Sequence, residues 1–209
     1  SPDGRPAYWE TAPRCQSGFE AKTVKDVIRL AKASPGKIAY ASSGNGSAQH
    51  LAGALFESRT GVQLVHVPYR GGGPALNDVM GGQVPLFFAN VASSLGHIQS
   101  GRLRPLGATS RRRARALQDI PSMGEAGVAG YEVLEWNPVL APAGLPAEVK
   151  ARLREAMRKA LAEPEVLGRI RSLSGEAFPE GPEGLVTGFL KAQQALWAKV
   201  IKERNIVAG

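Results

Sequence analysis

The chain has 209 residues, enough for one large domain or two small lobes with a buried core, and its 43% hydrophobic and 21% charged residues fall in the ordinary globular range. No run of roughly 18 or more apolar residues is present, which excludes a membrane-spanning helix, and a single cysteine, Cys15, excludes an internal disulfide and denies a zinc site its thiolate pair. The net charge of +8, from 26 basic and 18 acidic side chains, points to anionic partners: nucleic acid, acidic lipid or small carboxylates.

Residues 1–22 are rich in proline, glycine and charge without periodicity and read as an irregular leader. They contain no apolar core of signal-peptide length, so export cannot be argued from this start. Helical spacing begins after Thr23, an N-cap residue type, with Val24, Val27, Ile28, Leu30 and Ala31 on one face, and Pro35-Gly36 stops it. A short strand is predicted over 37–40, then a loop of small polar residues, then a helix over 49–59 with Leu51, Ala52, Leu55 and Phe56 on one stripe. Residues 62–68 alternate as a strand, Gly71-Gly72-Gly73 breaks it, and a short helix over 74–80 follows. The nearly continuous apolar run 84–89 fits a strand buried on both faces. A helix over 93–100 and a strand over 103–109 complete the series, whose strand–loop–helix period of about 25 residues argues for an α/β fold with a parallel sheet. The arginine cluster SRRRARA at 110–116 reads as a solvated face; without neighbouring aromatics for stacking it is a poor nucleic-acid patch, and no nucleic-acid partner is expected. Past Tyr131 the chain reads as extended to about Pro146, then as helices over 146–161, 164–173 and 182–204 with one short strand at 175–178. The apolar faces of these helices (Val149, Leu153, Met157 and Leu161; Leu190, Leu196, Trp197 and Val200) require a cover.

In a parallel α/β sheet, ligands sit beyond the carboxyl ends of the strands, where loops meet helix N-termini. Three polar loops occupy such positions. In the first, Ser42, Ser43, Gly44, Asn45, Gly46 and Ser47, glycine lets main-chain N–H groups approach a ligand, and the next helix adds orphan donors and its positive end. The result is an anion cup or, equally on spacing, a tight turn capped by Ser47. It is neither a Walker sequence nor GxGxxG. In the second, Tyr69 offers a flat wall and a hydroxyl, and Arg70 beside Gly71 can fork onto a carboxylate or simply lie exposed. In the third, Asn90 and Ser93 are ligand contacts or cap residues. Catalytic equipment is sparse. A Ser47–His50 pair is the one nucleophile–base candidate, which keeps a small serine-dependent hydrolase or transferase as the alternative, with a non-binding remnant as a third reading. No metal-ligand spacing or cofactor motif occurs, so no cofactor is expected.

The stretch KTVKDVIRLAKASPGKIAYASSGNGSAQHLAGALFESRTGVQLVHVPYRGGGPALNDVMGGQVPLFFANVASSLGHIQSGRLRPLGATS, followed by LQDIPSMGEAGVAGYEV, LAPAGLPAEVKARL and WAKVIKERNI, resembles the tripartite tricarboxylate transporter receptors, the Bug-type or TctC-like extracytoplasmic solute receptors. The likeness runs over about residues 22–206. It implies a periplasmic-binding-protein-like fold of the type II, venus-flytrap kind and no enzymatic activity. It further implies a small carboxylate ligand (a di- or tricarboxylate, an acidic amino acid or an aromatic acid), delivery to membrane transporter subunits, and a periplasmic location. It places residues 42–47 with His50 in one carboxylate-binding loop, and Tyr69, Arg70, Gly71, Asn90 and Ser93 along the same cleft. Members of this family are usually longer, with a signal peptide and a first lobe whose Pro-Gly-Gly type loop faces the ligand. The resemblance therefore implies a leader at 1–22, the second α/β lobe at 23–139, and at 140–209 the C-terminal helical segment of an incomplete first lobe. Binding is then expected to be impaired, and the uncovered tail to drive a homo-oligomer or an exchanged dimer.

Overall fold

The structure, a computed structural model, describes residues 8–9, 11–16, 19–137, 139–172, 175–177 and 183–207. Its centre is a five-stranded sheet in the order β4-β3-β5-β2-β6, built from β2 (Thr11–Gln16), β3 (Ala39–Ser42), β4 (Val65–Pro68), β5 (Leu86–Asn90) and β6 (Leu103–Pro105). Strands β4, β3 and β5 are parallel neighbours, with Tyr40 opposite His66 on one side and Leu86 on the other. Between β5 and β6 runs β2, antiparallel to both, so the other four strands share one direction.

That intervening strand corrects the reading of residues 1–22 as irregular throughout. Thr11–Gln16 carries a proline and an arginine and shows no alternation, so no local signal marks it as a strand. Its conformation is set by two neighbours that each offer a row of backbone donors and acceptors. Pro13, which lacks an N–H, lies opposite Phe88 of β5, whereas β6 pairs only from Arg14 to Gln16. Cys15 is thus in a central strand. The preceding strand β1 (Tyr8–Trp9) belongs to a second, three-stranded antiparallel sheet in the order β7-β1-β8, with β7 (Glu135–Trp136) and β8 (Gly175–Glu176). The chain therefore passes between the two sheets twice among the described strands, from β1 to β2 and from β6 to β7.

Helix α1 (Val24–Ala33) starts where expected: Thr23 and Asp26 form a reciprocal capping box, Asp26 N–H donating to Thr23 Oγ1 at 3.1 Å and Thr23 N–H to Asp26 Oδ2 at 3.0 Å. Helices α2 (Ala48–Thr60), α3 (Gly72–Met80) and α4 (Val91–Gln99) follow β3, β4 and β5. The period-2 geometry of the strands divides the core between two faces. Tyr40, Leu86 and Phe88 pack with Val24 and Val27 of α1 and Leu55 and Phe56 of α2. Ala41, Phe87 and Ala89 pack on the other side with Ala75, Leu76 and Val79 of α3. A small void lined by Val24, Val27, Phe56, Leu86, Phe88 and Leu106 lies inside the first layer and has only apolar walls.

The C-terminal helices behave unequally. The last turns of α7 (Glu183–Glu203) bury Val200 and rest Trp197 on the first core layer, with Ser58 of α2 donating to Glu203 at 3.2 Å. Helix α5 (Ala147–Ala162) buries no residue, and Val149, Leu153 and Met157 are exposed; α6 (Pro164–Ser172) buries none either. No helix of the described residues is long and apolar enough to cross a membrane.

Candidate functional site

Because β4, β3 and β5 are adjacent and parallel, the loops at their carboxyl ends meet along one edge of the sheet, and three helices begin there. The first two loops are laced together: Tyr69 N–H donates to Ser42 O at 3.0 Å and Gly71 N–H to Ser43 O at 3.2 Å. Gly44 and Gly46 adopt φ of 134° and 74°, in the left-handed half of backbone space that side chains disfavour. At Gly44 a β-carbon would also stand 3.5 Å from Tyr69 O.

The amides of the loop divide into two sets. Gly44 N–H donates to Ser42 Oγ (3.1 Å), Gly46 N–H to His50 Nδ1 (3.1 Å), Ser47 N–H to Gly44 O (3.2 Å) and His50 N–H to Ser47 Oγ (3.2 Å). The N–H groups of Ser43, Asn45, Ala48 and Gln49 have no protein acceptor among the described residues. The amides of Gly72 and Gly73 at the start of α3 also lack one, and that helix has no side-chain cap. Two neighbouring helix N-termini thus bring unclaimed donors and roughly +0.5 of partial charge each to one edge of the sheet. Arg70, next to Gly71 in the second loop, is exposed.

Several expected contacts have their polar groups engaged by the protein. Ser42 is fully buried; its hydroxyl lies 2.6 Å from His66 Nε2 and 3.1 Å from Gly44 O, beneath the loop. Ser43 Oγ donates to Gln49 Oε1 at 2.6 Å. Tyr69 Oη donates to Asp78 Oδ2 at 2.7 Å, and burial together with that carboxylate pushes the phenol up to about 12. Asn90 caps α4 through Oδ1, 2.9 Å from Ala92 N, and its Nδ2 reaches Glu135 Oε2 of β7 at 3.2 Å. Ser93 is exposed and its hydroxyl donates to Asn90 O at 3.0 Å. Asn45 and Gly46 are exposed at the tip of the first loop.

The Ser47–His50 catalytic pair is not assembled. Ser47 Oγ accepts from the main-chain N–H of His50, whose ring Nδ1 instead accepts from Gly46. The serine–imidazole contact that does form, Ser42 with His66, has its oxygen fully buried and out of reach of a substrate. Sequence reading passed over His66 and Gln49. The interior position of His66 in a strand concealed it, since only the register that sets it opposite Tyr40 carries its ring under the loop. Among the described residues no cluster of His, Cys, Asp and Glu could hold a metal ion.

The sequence model of the tripartite tricarboxylate transporter family receptor matches residues 14–206. The chain belongs to this family. A UPF0065 protein from the tcbD-tcbE intergenic region of Pseudomonas sp. (strain P51) is 38% identical over 189 residues, 90% of this chain and 56% of that protein. Among solved structures, R. palustris Rpa4515 with adipate superposes with a TM-score of 0.86 at 31% identity, over 98% of this chain and 68% of that one. The periplasmic binding protein BugD superposes with a TM-score of 0.84 at 29% identity, over 97% and 68%. The fold is therefore that of periplasmic binding proteins. The chain spans little more than half the length of the curated relative and about two thirds of the solved structures. The matched segment begins inside β2, the strand that local signals missed.

Proposed function

We propose that this chain is a solute-binding receptor for a small carboxylate that serves a tripartite tricarboxylate-type transporter from the periplasm. The observation that carries the reading is the set of unclaimed amides at Ser43, Asn45, Ala48 and Gln49, in a loop bonded through Gly71 N–H to the loop that carries the exposed Arg70. A carboxylate supplies oxygens that accept from several N–H groups at once, and charge-assisted bonds of this type are about twice as strong as neutral ones. The kinship with a protein solved with adipate favours a dicarboxylate, with tricarboxylates, acidic amino acids and aromatic acids in the same class. The receptor acts without chemistry on its ligand.

Asn45, Gly46, Arg70, Gly72 and Gly73 are exposed, so the loops stand open to water and affinity for this chain is expected to be weak. The bare apolar side of α5 is the surface through which two copies would pair or exchange tails. The test is a thermal-shift and calorimetric titration with adipate, citrate, glutamate and benzoate. A saturable rise in Tm with at least one acid, reduced in Arg70→Ala, supports the receptor. No shift at millimolar concentration of any of them removes it.

A further inference from the structure

Beneath the β3–α2 loop lies a polar cluster in which Ser42 and Tyr40 are buried, His50 nearly so and His66 half-buried. The rings of His50 and His66 stack with centroids 3.7 Å apart and planes 12° from parallel. Each ring serves one glycine of the loop. His50 Nδ1 accepts from Gly46 N–H, which means this nitrogen carries no proton and the ring's hydrogen is on Nε2. His66 Nε2 contacts Ser42 Oγ, and that oxygen in turn accepts from Gly44 N–H and faces Gly44 O. Either neutral tautomer of His66 satisfies the contact, by donating to Oγ or by accepting from it. Tyr40 closes the cluster from β3: its ring is 5.1 Å from His66 and its hydroxyl donates to the main-chain oxygen of His50 at 3.4 Å.

We propose that His50 and His66, joined by Ser42, are positioning residues that draw the Gly44 and Gly46 amides inward and so hold the loop in the shape that leaves the Ser43, Asn45, Ala48 and Gln49 amides unclaimed. This rests on the reading of the loop as a carboxylate receptor. The device works only while His50 is neutral. A proton on Nδ1 turns the acceptor into a donor aimed at the Gly46 N–H, and the two hydrogens repel. Stacked imidazoles at this distance also cannot both carry charge cheaply. The groups facing the pair are each other and the Tyr40 phenol; no carboxylate or guanidinium among the described residues shifts either ring. Burial holds His50 below its ordinary value, and burial with the neighbouring imidazole takes His66 to about 4, so the loop is set at neutral pH and released in acid.

The experiment follows the Gly44 and Gly46 amides of the ligand-free chain by NMR across an acid titration, together with adipate affinity by calorimetry. Both amides are expected to be protected from exchange at pH 7, and the Gly46 resonance to move on the acid side of the ordinary imidazole range. His50→Phe keeps a stacked ring but no acceptor. It should lose Gly46 protection and the acid transition, and bind adipate about fivefold to tenfold more weakly, the effect of one lost hydrogen bond. His50→Asn, whose Oδ1 can stand where Nδ1 stood, should restore protection at all pH values and abolish the transition. Unchanged Gly46 protection in His50→Phe, or a loosened loop with undiminished adipate affinity, overturns the proposal. If the amides titrate as expected but the wild-type chain binds none of the acids, the positioning of the loop is supported and the receptor reading is the one that fails.

Discussion

Gly53 lies in the middle of α2 with its α-carbon against the ring of Tyr40, where a β-carbon would overlap the ring atoms. Tyr40 is itself 1% exposed and wedged between Phe88 and His66, so the ring has nowhere to move. Gly53→Ala should therefore destabilise the fold by about 1–3 kcal/mol despite the better helix propensity of alanine, as urea denaturation would measure. The buried Tyr131 tests a hydrogen bond instead of a volume: its hydroxyl donates to Ala52 O at 2.9 Å, and Tyr131→Phe should cost about 1 kcal/mol while leaving the packing in place.

At the level of the element, the start of α2 joins stability to the site. Ser47 caps the helix through its hydroxyl on the His50 N–H, so Ser47→Ala should cost about 1 kcal/mol of stability by circular-dichroism melting. The same magnitude is expected of Thr23→Ala, which breaks the capping box of α1. The two differ in a second readout. Ser47→Ala should also weaken carboxylate binding, because losing the bond to His50 N–H slackens the loop, whereas Thr23→Ala should leave binding unchanged. Thr23, Ser47 and the helices after them were legible in the sequence because caps and helical periodicity are local signals. The link from Asn90 to Glu135 was not, because it crosses from the main sheet to the three-stranded one over 45 residues of chain.

For the whole molecule, acid is the informative variable. His66 has an ordinary value of 6.5 that falls to about 4 on folding, so between those pH values the unfolded chain binds more protons than the native one. Stability should be fully present above pH 6.5 and decline as the pH falls toward 4. Glu57 works in the opposite sense: burial raises its carboxyl, so its contribution falls as pH rises above its ordinary 4.5. The histidine contribution is therefore read as the difference between wild type and His66→Phe, which should have the flatter Tm profile between pH 6.5 and 4. Surface area sets a second molecular property. Leu153 is 50% exposed and Met157 37% along the bare stripe of α5, and self-association through it should appear as a concentration-dependent mass in light scattering. Leu153→Glu should shift that equilibrium toward monomer without lowering Tm; a monomer at every dilution would show that the stripe has no partner of its own kind.

Local chemistry alone determined the helices, the buried strand β5 and the three loops rich in small polar residues, since periodicity, caps and glycine act within a few residues of chain. It also determined the family, through motifs that keep their order and spacing. Tertiary structure decided the rest. It turned Thr11–Gln16 into a central strand because two flanking strands supplied the hydrogen bonds its own composition does not ask for. It also brought His66 of β4 under the first loop, against the His50 ring that takes the Gly46 amide and the Ser42 hydroxyl that takes the Gly44 amide, a meeting that only the folded register makes. Ser42 and His66 are 24 residues apart, so their contact depends on where separated strands come to rest, and no local pattern encodes it.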